Sequence, residues 1–289
     1  MLTVKDRKLS FLLVLLVYAA AVAVGMLVYR ALDSLPLFAS LLVADVLATV
    51  TVFLFSLLFG NASVYDPYWS VQPPIILLLL TLTFEKPLGW ADVLLLAVVL
   101  LWGIRLTANW AYTFGGLTHQ DWRYTMLSEK TGRAYPLINF LGIHMFPTLV
   151  VYACILPAAY ALRDGKAGGF LTVLGLLLSL LAVLLQLVSD IEMQAFRRRR
   201  EGGFIRIGLW RYARHPNYLG EILMWWGVAI ASLSVLPVAM WSLSLGAIAN
   251  TVMFLVVSIP MADRRQARKE GYAAYRAETR SLLPIPKRR

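Results

Sequence analysis

Apolar residues fall in eight long runs: Leu9 to Tyr29, Leu37 to Phe59, Val71 to Phe84, Trp90 to Trp110, Pro136 to Leu162, Phe170 to Val188, Tyr218 to Leu236 and Val238 to Ile259. A helix needs roughly 20 residues of low polarity to cross the hydrocarbon core of a bilayer. The third run is short and only Pro237 separates the last two, so the pattern predicts eight spans, or seven. Lipid leaves an open backbone no partner but itself, which makes each span an α-helix. The expected fold is all-α, a polytopic transmembrane helix bundle of 7–8 spans. The first run is long enough to span and carries no small-residue cleavage site, so it predicts a retained helix.

Composition agrees. Of the 289 residues 60% are apolar and 15% charged, too little charge to cover a soluble domain of this length. With eight spans and a cytoplasmic amino terminus, 22 of the 27 Lys and Arg residues fall on the cytoplasmic side. They lie at the N-terminus and in residues 111–135, 189–217 and 260–289; 4 lie on the opposite side and Arg105 lies within a span. Such a bias follows the positive-inside rule. It predicts cytoplasmic termini in the inner or plasma membrane of a bacterium. The net charge of +11 then reflects topology and attraction to membrane lipids rather than nucleic acid. The single cysteine, Cys154, excludes an internal disulfide and a zinc cluster of cysteines, and no metal is expected. With no linker, repeat or low-complexity tract, residues 1–289 read as one membrane domain.

Polar residues inside the runs form two stripes. Gln186, Asp190, Gln194 and Arg197 recur at i, i+4, i+8 and i+11, one side of a helix otherwise rich in Leu and Val. They read as the wall of a polar pocket, or as a structural Asp190–Arg197 tie. Trp102, Arg105, Asn109 and Tyr112 share a face in the same way; Arg105 either lines a pocket or snorkels to the interface. Asp45 stands alone in the second run, as a counter-ion for Arg105, part of a proton path, or a helix–helix hydrogen bond.

The polar loops carry the remaining chemistry. Asn61 to Gln72 reads NASVYDPYWSVQ, an acid among Tyr65, Tyr68 and Trp69 at the mouth of a span. It suits a partly desolvated proton donor, or an aromatic belt in which Asp66 caps a helix opened by Pro67. Arg211 to Glu221 reads RYARHPNYLGE. Pro216 can open a helix whose free N–H groups face Arg211, Arg214 and His215, an arrangement suited to an anion, with Asn217 and Glu221 one turn apart behind it. The tail places Arg264 and Arg265 directly after the last run, for phosphate or for lipid headgroups.

RHPNYLGE, the tail EGYAAYRAETRSLLPIP and the loop SVYDPYWS together resemble the steroid 5α-reductase family and its bacterial membrane relatives, from about Tyr65 to Pro284. On that resemblance residues 1–60 are two additional N-terminal spans, and 61–289 form a reductase-like core with a cytoplasmic cofactor cavity. The resemblance implies an enzyme that uses NADPH to reduce the carbon–carbon double bond of a lipophilic enone, such as a 3-oxo-4-ene steroid, entering from the bilayer. It implies cofactor binding by Asp190 and Arg197, by Asn217, Tyr218 and Glu221, by Arg264 and Arg265, and by Arg105. Asn109, Asp121, Arg123, Arg214 and His215 complete the expected cofactor set. The acid that polarises the substrate carbonyl falls on Asp66, where the family has Glu, and its tyrosine partner falls on Trp102. Tyr65, Tyr68 or Tyr112 is then the expected substitute, with Asp66, Tyr65 and Tyr68 as the catalytic group. The same motif also resembles isoprenylcysteine carboxyl methyltransferases, which bind S-adenosylmethionine and act on lipidic substrates. Arg264 and Arg265 suit the phosphates of NADPH better than a cationic sulfonium. A transporter would show repeated halves, and none is visible.

Overall fold

A computed structural model describes residues 4–84, 86–199 and 202–286, so Arg200 and residues 287–289 of the basic segments lie outside it. The described residues are 79% helical. Among the described residues there is no strand, only an isolated bridge between Ala213 and Arg280. In order the helices are α1 (Arg7–Ala31), α2 (Leu37–Phe59), α3 (Tyr68–Thr81), α4 (Trp90–Thr113), α5 (Trp122–Thr131), α6 (Tyr135–Ile138), α7 (Phe146–Asp164), α8 (Phe170–Arg199), α9 (Pro216–Leu233), α10 (Leu245–Met253), α11 (Ile259–Gln266) and α12 (Tyr272–Glu278). Asn139–Met145 joins α6 to α7 as a π-helix, and Phe254–Ser258 does the same between α10 and α11.

Among the described residues six helical rods are long and apolar enough to cross a membrane: Arg7–Ala31, Leu37–Phe59, Trp90–Thr113, Trp122–Asp164, Phe170–Arg199 and Val238–Gln266. The protein is therefore an integral membrane helix bundle. The two other apolar runs also fold as helices, but shorter ones. The run after Val71 gives α3, of 14 residues, with Pro73 and Pro74 inside it. The run from Tyr218 gives α9, of 18 residues, whose first turns carry Asn217, Tyr218 and Glu221.

The chain divides into two compact units. The first comprises Met1–Pro73 and Leu106–Tyr152. Here α1 starts on an Asp6 cap, whose carboxylate accepts from the Leu9 N–H. Gly60, at φ 62°, ends α2 in the left-handed conformation that a Cβ disfavours. Tyr18 of α1 donates to the Val64 carbonyl at 2.7 Å, and Phe11 packs edge-on against Trp110 and Phe114. The two N-terminal helices belong to this unit.

The second unit comprises Pro74–Arg105 and Ala153–Arg289. Its core is a close seam between α8 and α9. A Cβ on Gly175 would lie 2.4 Å from the Ala231 nitrogen, and one on Gly227 would lie 2.2 Å from Ser179 Oγ. Small residues let the two backbones approach where lipid supplies no hydrophobic drive between helices. The seam matters for function because it sets the opening turn of α9 against the polar stripe of α8: a Cβ on Gly220 would lie 2.4 Å from Gln186 Cγ.

Candidate functional site

Each unit holds a polar cluster. In the first, the NASVYDPYW loop is sewn to residues 117–121. Asn61 caps the 3-10 turn Ala62–Tyr65 and donates from Nδ2 to the Leu117 and His119 carbonyls at 2.7 and 3.1 Å. The Ala62 N–H donates to Gln120 Oε1 and the Asp121 N–H to Ser63 Oγ. Asp121 in turn caps α5, accepting from the N–H and the Nε of Arg123, both at 2.8 Å. These bonds bring α5 to Asp66, and the Tyr124 hydroxyl donates to Asp66 Oδ1 at 2.6 Å. Enclosure of the Asp66 carboxyl pushes it up from the ordinary carboxylate range to about 6, against the opposing pull of the Arg123 charge and the Tyr124 hydrogen bond. The result is a carboxyl that keeps a proton well above the usual range, with a phenol fixed on it.

Tyr124 corrects the sequence expectation about the partner of Asp66. Tyr65 and Tyr68 flank the acid in sequence, but their hydroxyls go elsewhere, Tyr65 to Thr148 Oγ1 at 2.8 Å and Tyr68 to Asp45 Oδ1 at 3.4 Å. Burial also lifts the Tyr65 phenol well above its ordinary value, which makes it a poor acid. Tyr112 is exposed on α4. For Asp45 the helix–helix hydrogen bond is the reading the structure shows. It bonds Gln72 Nε2 and Tyr68, so it belongs to a helix contact within this unit and is not the counter-ion of Arg105.

In the second unit Arg105 pairs with Asp190, so the two polar stripes meet there. Glu221 lies buried between two indoles, accepting from Trp102 Nε1 at 2.9 Å and Trp225 Nε1 at 3.0 Å. The tryptophan at the expected tyrosine position is therefore committed to positioning Glu221. Glu192, absent from the expected set, accepts the Leu209 N–H and fixes the turn before RHPNYLGE. Pro216 opens α9 as the motif predicts. Beside it the tail pairs with the motif backbone, the Arg214 N–H donating to the Arg280 carbonyl and the His215 N–H to that of Ser281.

Arg214 and His215 face inward to a carboxylate that sequence reasoning missed. Asp263 accepts from Arg214 Nε and Nη2 at 3.3 Å each, from His215 Nε2 at 2.9 Å and from the Tyr272 hydroxyl at 2.5 Å. Their side-chain donors are thus engaged by protein. Arg197, Arg264 and Arg265 lie at the ends of α8 and α11. Asn217, half-buried in the first turn of α9, has its Oδ1 enclosed and without a hydrogen-bond partner, as are both amide atoms of Gln186. Tyr218 stacks on His215, with ring planes 5° apart and centroids 5.1 Å apart. Asn109 and Arg123 belong to the other unit, with Asp121. Among the described residues no group of three or more His, Cys, Asp or Glu side chains is placed to hold a metal.

The profile of a protein family described as a protein of unknown function, DUF1295, matches residues 52–279. The chain is similar to an uncharacterized protein of Schizosaccharomyces pombe, 29% identical over 165 residues, 47% of this chain and 48% of that one. The chain thus spans about half the length of the curated relative it matches. No solved structure matches.

Proposed function

The chain belongs to the DUF1295 family, and from that premise we propose that it is an NADPH-dependent reductase of the carbon–carbon double bond of a lipophilic enone, of the steroid 5α-reductase type. The proposal places the termini and the cofactor-binding cluster on the cytoplasmic face of a bacterial inner membrane, with the substrate drawn from the bilayer. The observation that carries it is the Asp66–Tyr124 pair, a carboxyl lifted to about 6 with a phenol donating to it at 2.6 Å. Two proton-bearing groups on one oxygen site suit a substrate whose carbonyl gains negative charge. Methyl transfer to a thiolate or carboxylate gains nothing from such a pair.

The residues of the second unit fit a dinucleotide polyanion. Arg197, Arg264 and Arg265 would meet its phosphates, since Arg presents paired donors matched to phosphate oxygens. The unpartnered Asn217 Oδ1 and Gln186 amide are enclosed groups that a polar ligand would satisfy. Glu221 is held by two indole N–H groups and Asp190 by Arg105. Bound there, NADPH would supply a hydride to the β-carbon of the enone. Asp66 would hydrogen-bond the carbonyl oxygen and carry its proton as charge develops there, while Tyr124 keeps the carboxyl oriented. A proton on the α-carbon completes the reduction. Asp66→Asn tests this directly: turnover of a 3-oxo-4-ene steroid should fall by on the order of a hundredfold to ten thousandfold while NADPH binding stays. Loss of NADPH binding in that variant would remove Asp66 from the chemical step.

A further inference from the structure

Helix α1 precedes the family region 52–279, yet Ser10 and Tyr18 on it bond the two loops that carry Asp66 and Tyr124. One face of the helix is buried, Ser10, Val14, Val17, Tyr18 and Ala21, while Leu9, Leu12, Leu15 and Leu16 are exposed. That i, i+4, i+7 and i+8 pattern marks a helix packed along a single side. At the start of the face the Ser10 hydroxyl donates to the Asp6 carbonyl at 2.7 Å, which leaves its oxygen to accept the Leu117 N–H at 3.1 Å. The Leu117 carbonyl accepts from Asn61 Nδ2 at 2.7 Å, so one residue ties α1 to the head of the Asp66 loop. The approach is close. Gly116 takes φ 98°, which a side chain disfavours, and a Cβ there would lie 3.4 Å from Ser10 Oγ.

About two turns further along α1, the Tyr18 hydroxyl donates to the Val64 carbonyl at 2.7 Å. Its ring meets that of Tyr68 edge-on, with centroids 5.6 Å apart. Val64 lies in the 3-10 turn Ala62–Tyr65, and Asp66 closes that turn with its N–H on the Ser63 carbonyl at 3.2 Å. Both bonds from α1 are buried, where a polar group left unmatched is costly. Tyr18 thus holds the carbonyl two residues before Asp66. Ser10 holds the segment that runs from Leu117 to the Asp121 cap of α5, and so to Tyr124.

From this geometry we infer that Ser10 and Tyr18 are positioning residues for the Asp66–Tyr124 pair, with α1 as the brace that keeps its two loops in register. This role rests on the proposed chemistry of that pair, but the hold itself has a readout that needs no turnover.

Asp66 is the reporter. The ionisable groups about it are Arg123, Tyr124 and Asp121 of the α5 segment, Tyr18 of α1 and Tyr65 of its own loop. Enclosure lifts its carboxyl, so loosening the frame admits water and lowers it. Infrared pH titration of the full chain in lipid nanodiscs, with the Asp66 carboxyl band identified by its loss in Asp66→Asn, should give a midpoint of about 6 in the wild-type protein. In Tyr18→Phe and in Ser10→Ala that midpoint should fall by about half a pH unit or more. In both, kcat for enone reduction should fall about tenfold with KM for NADPH unchanged. Val14→Ala, on the same face of α1 but without a hydrogen bond, should move neither. An unmoved midpoint in a hydroxyl variant that folds overturns the inference, and so does an equal shift in Val14→Ala. Where Tyr18→Phe fails to fold, Ser10→Ala decides alone. A wild-type chain without enone turnover removes the reductase reading, and the infrared midpoints then still decide whether α1 braces Asp66.

Discussion

At the scale of single residues, the pair to test is Asp66 and Tyr124. Asp66 could be found in the sequence, as an acid set among aromatics in a loop without basic residues. Tyr124 could not, because 58 residues separate the two and only the Asn61, Ala62 and Ser63 bonds to residues 117–121 bring them together. The flanking tyrosines looked better placed in the sequence, yet their hydroxyls serve Thr148 and Asp45. Tyr124→Phe should lower kcat for enone reduction by about tenfold, the cost of one lost hydrogen bond to a reacting carboxyl. Asp66→Asn should cost on the order of a hundredfold to ten thousandfold in steady-state assays, the span attributed to a positioned acid.

The pH profile follows from the same carboxyl. Only its protonated form donates, so kcat/KM should fall as pH rises through about 6, and Asp66→Asn should lack that limb. The stability sign agrees. The folded chain keeps a proton that an unfolded carboxyl of 3.8 has released, so stability from Asp66 is present at low pH and is lost as pH rises through about 6.

At the scale of elements, hydrophobic runs located the helices well because burial in lipid demands length and little else. They missed the starts of α3 and α9, which begin at Tyr68 and Pro216, ahead of their apolar runs, because an aromatic or polar opening turn belongs to the helix. The π-helical stretches left no trace in the pattern, since one inserted residue shifts an apolar face too little to see where every face is apolar. The α8–α9 seam was also hidden, because glycines in a membrane helix have no periodic signature against Leu and Val. Substituting Gly227 by Leu would drive a side chain into Ser179 and the Gly175 backbone. It should destabilise the fold by about 1–3 kcal/mol or more, read as a lower midpoint of thermal inactivation in detergent. Asp263 ties α9, α11 and α12 through Arg214, His215 and Tyr272. In Asp263→Asn the tail should loosen, with faster tryptic cleavage after Arg264 to Arg280 than in the wild-type protein and weaker NADPH binding.

At the scale of the whole molecule, charge asymmetry and apolar length made the membrane character of the chain legible from residue order alone, since both are bulk properties. The cofactor cluster was legible only in part. Arg214 and His215 looked like anion ligands in the sequence, but Asp263, nearly fifty residues away, takes up their side-chain hydrogen bonds. In the proposed reductase the phosphates would therefore meet Arg197, Arg264 and Arg265, at the ends of α8 and α11. The most direct measurement is calorimetric titration of the detergent-purified protein with NADPH, NADH and S-adenosylmethionine. NADPH should bind more tightly than NADH, with that preference reduced in Arg197→Ala and Arg264→Ala, and S-adenosylmethionine should give no heat. Binding of S-adenosylmethionine with none of NADPH would contradict a reductase and make the chain a methyltransferase.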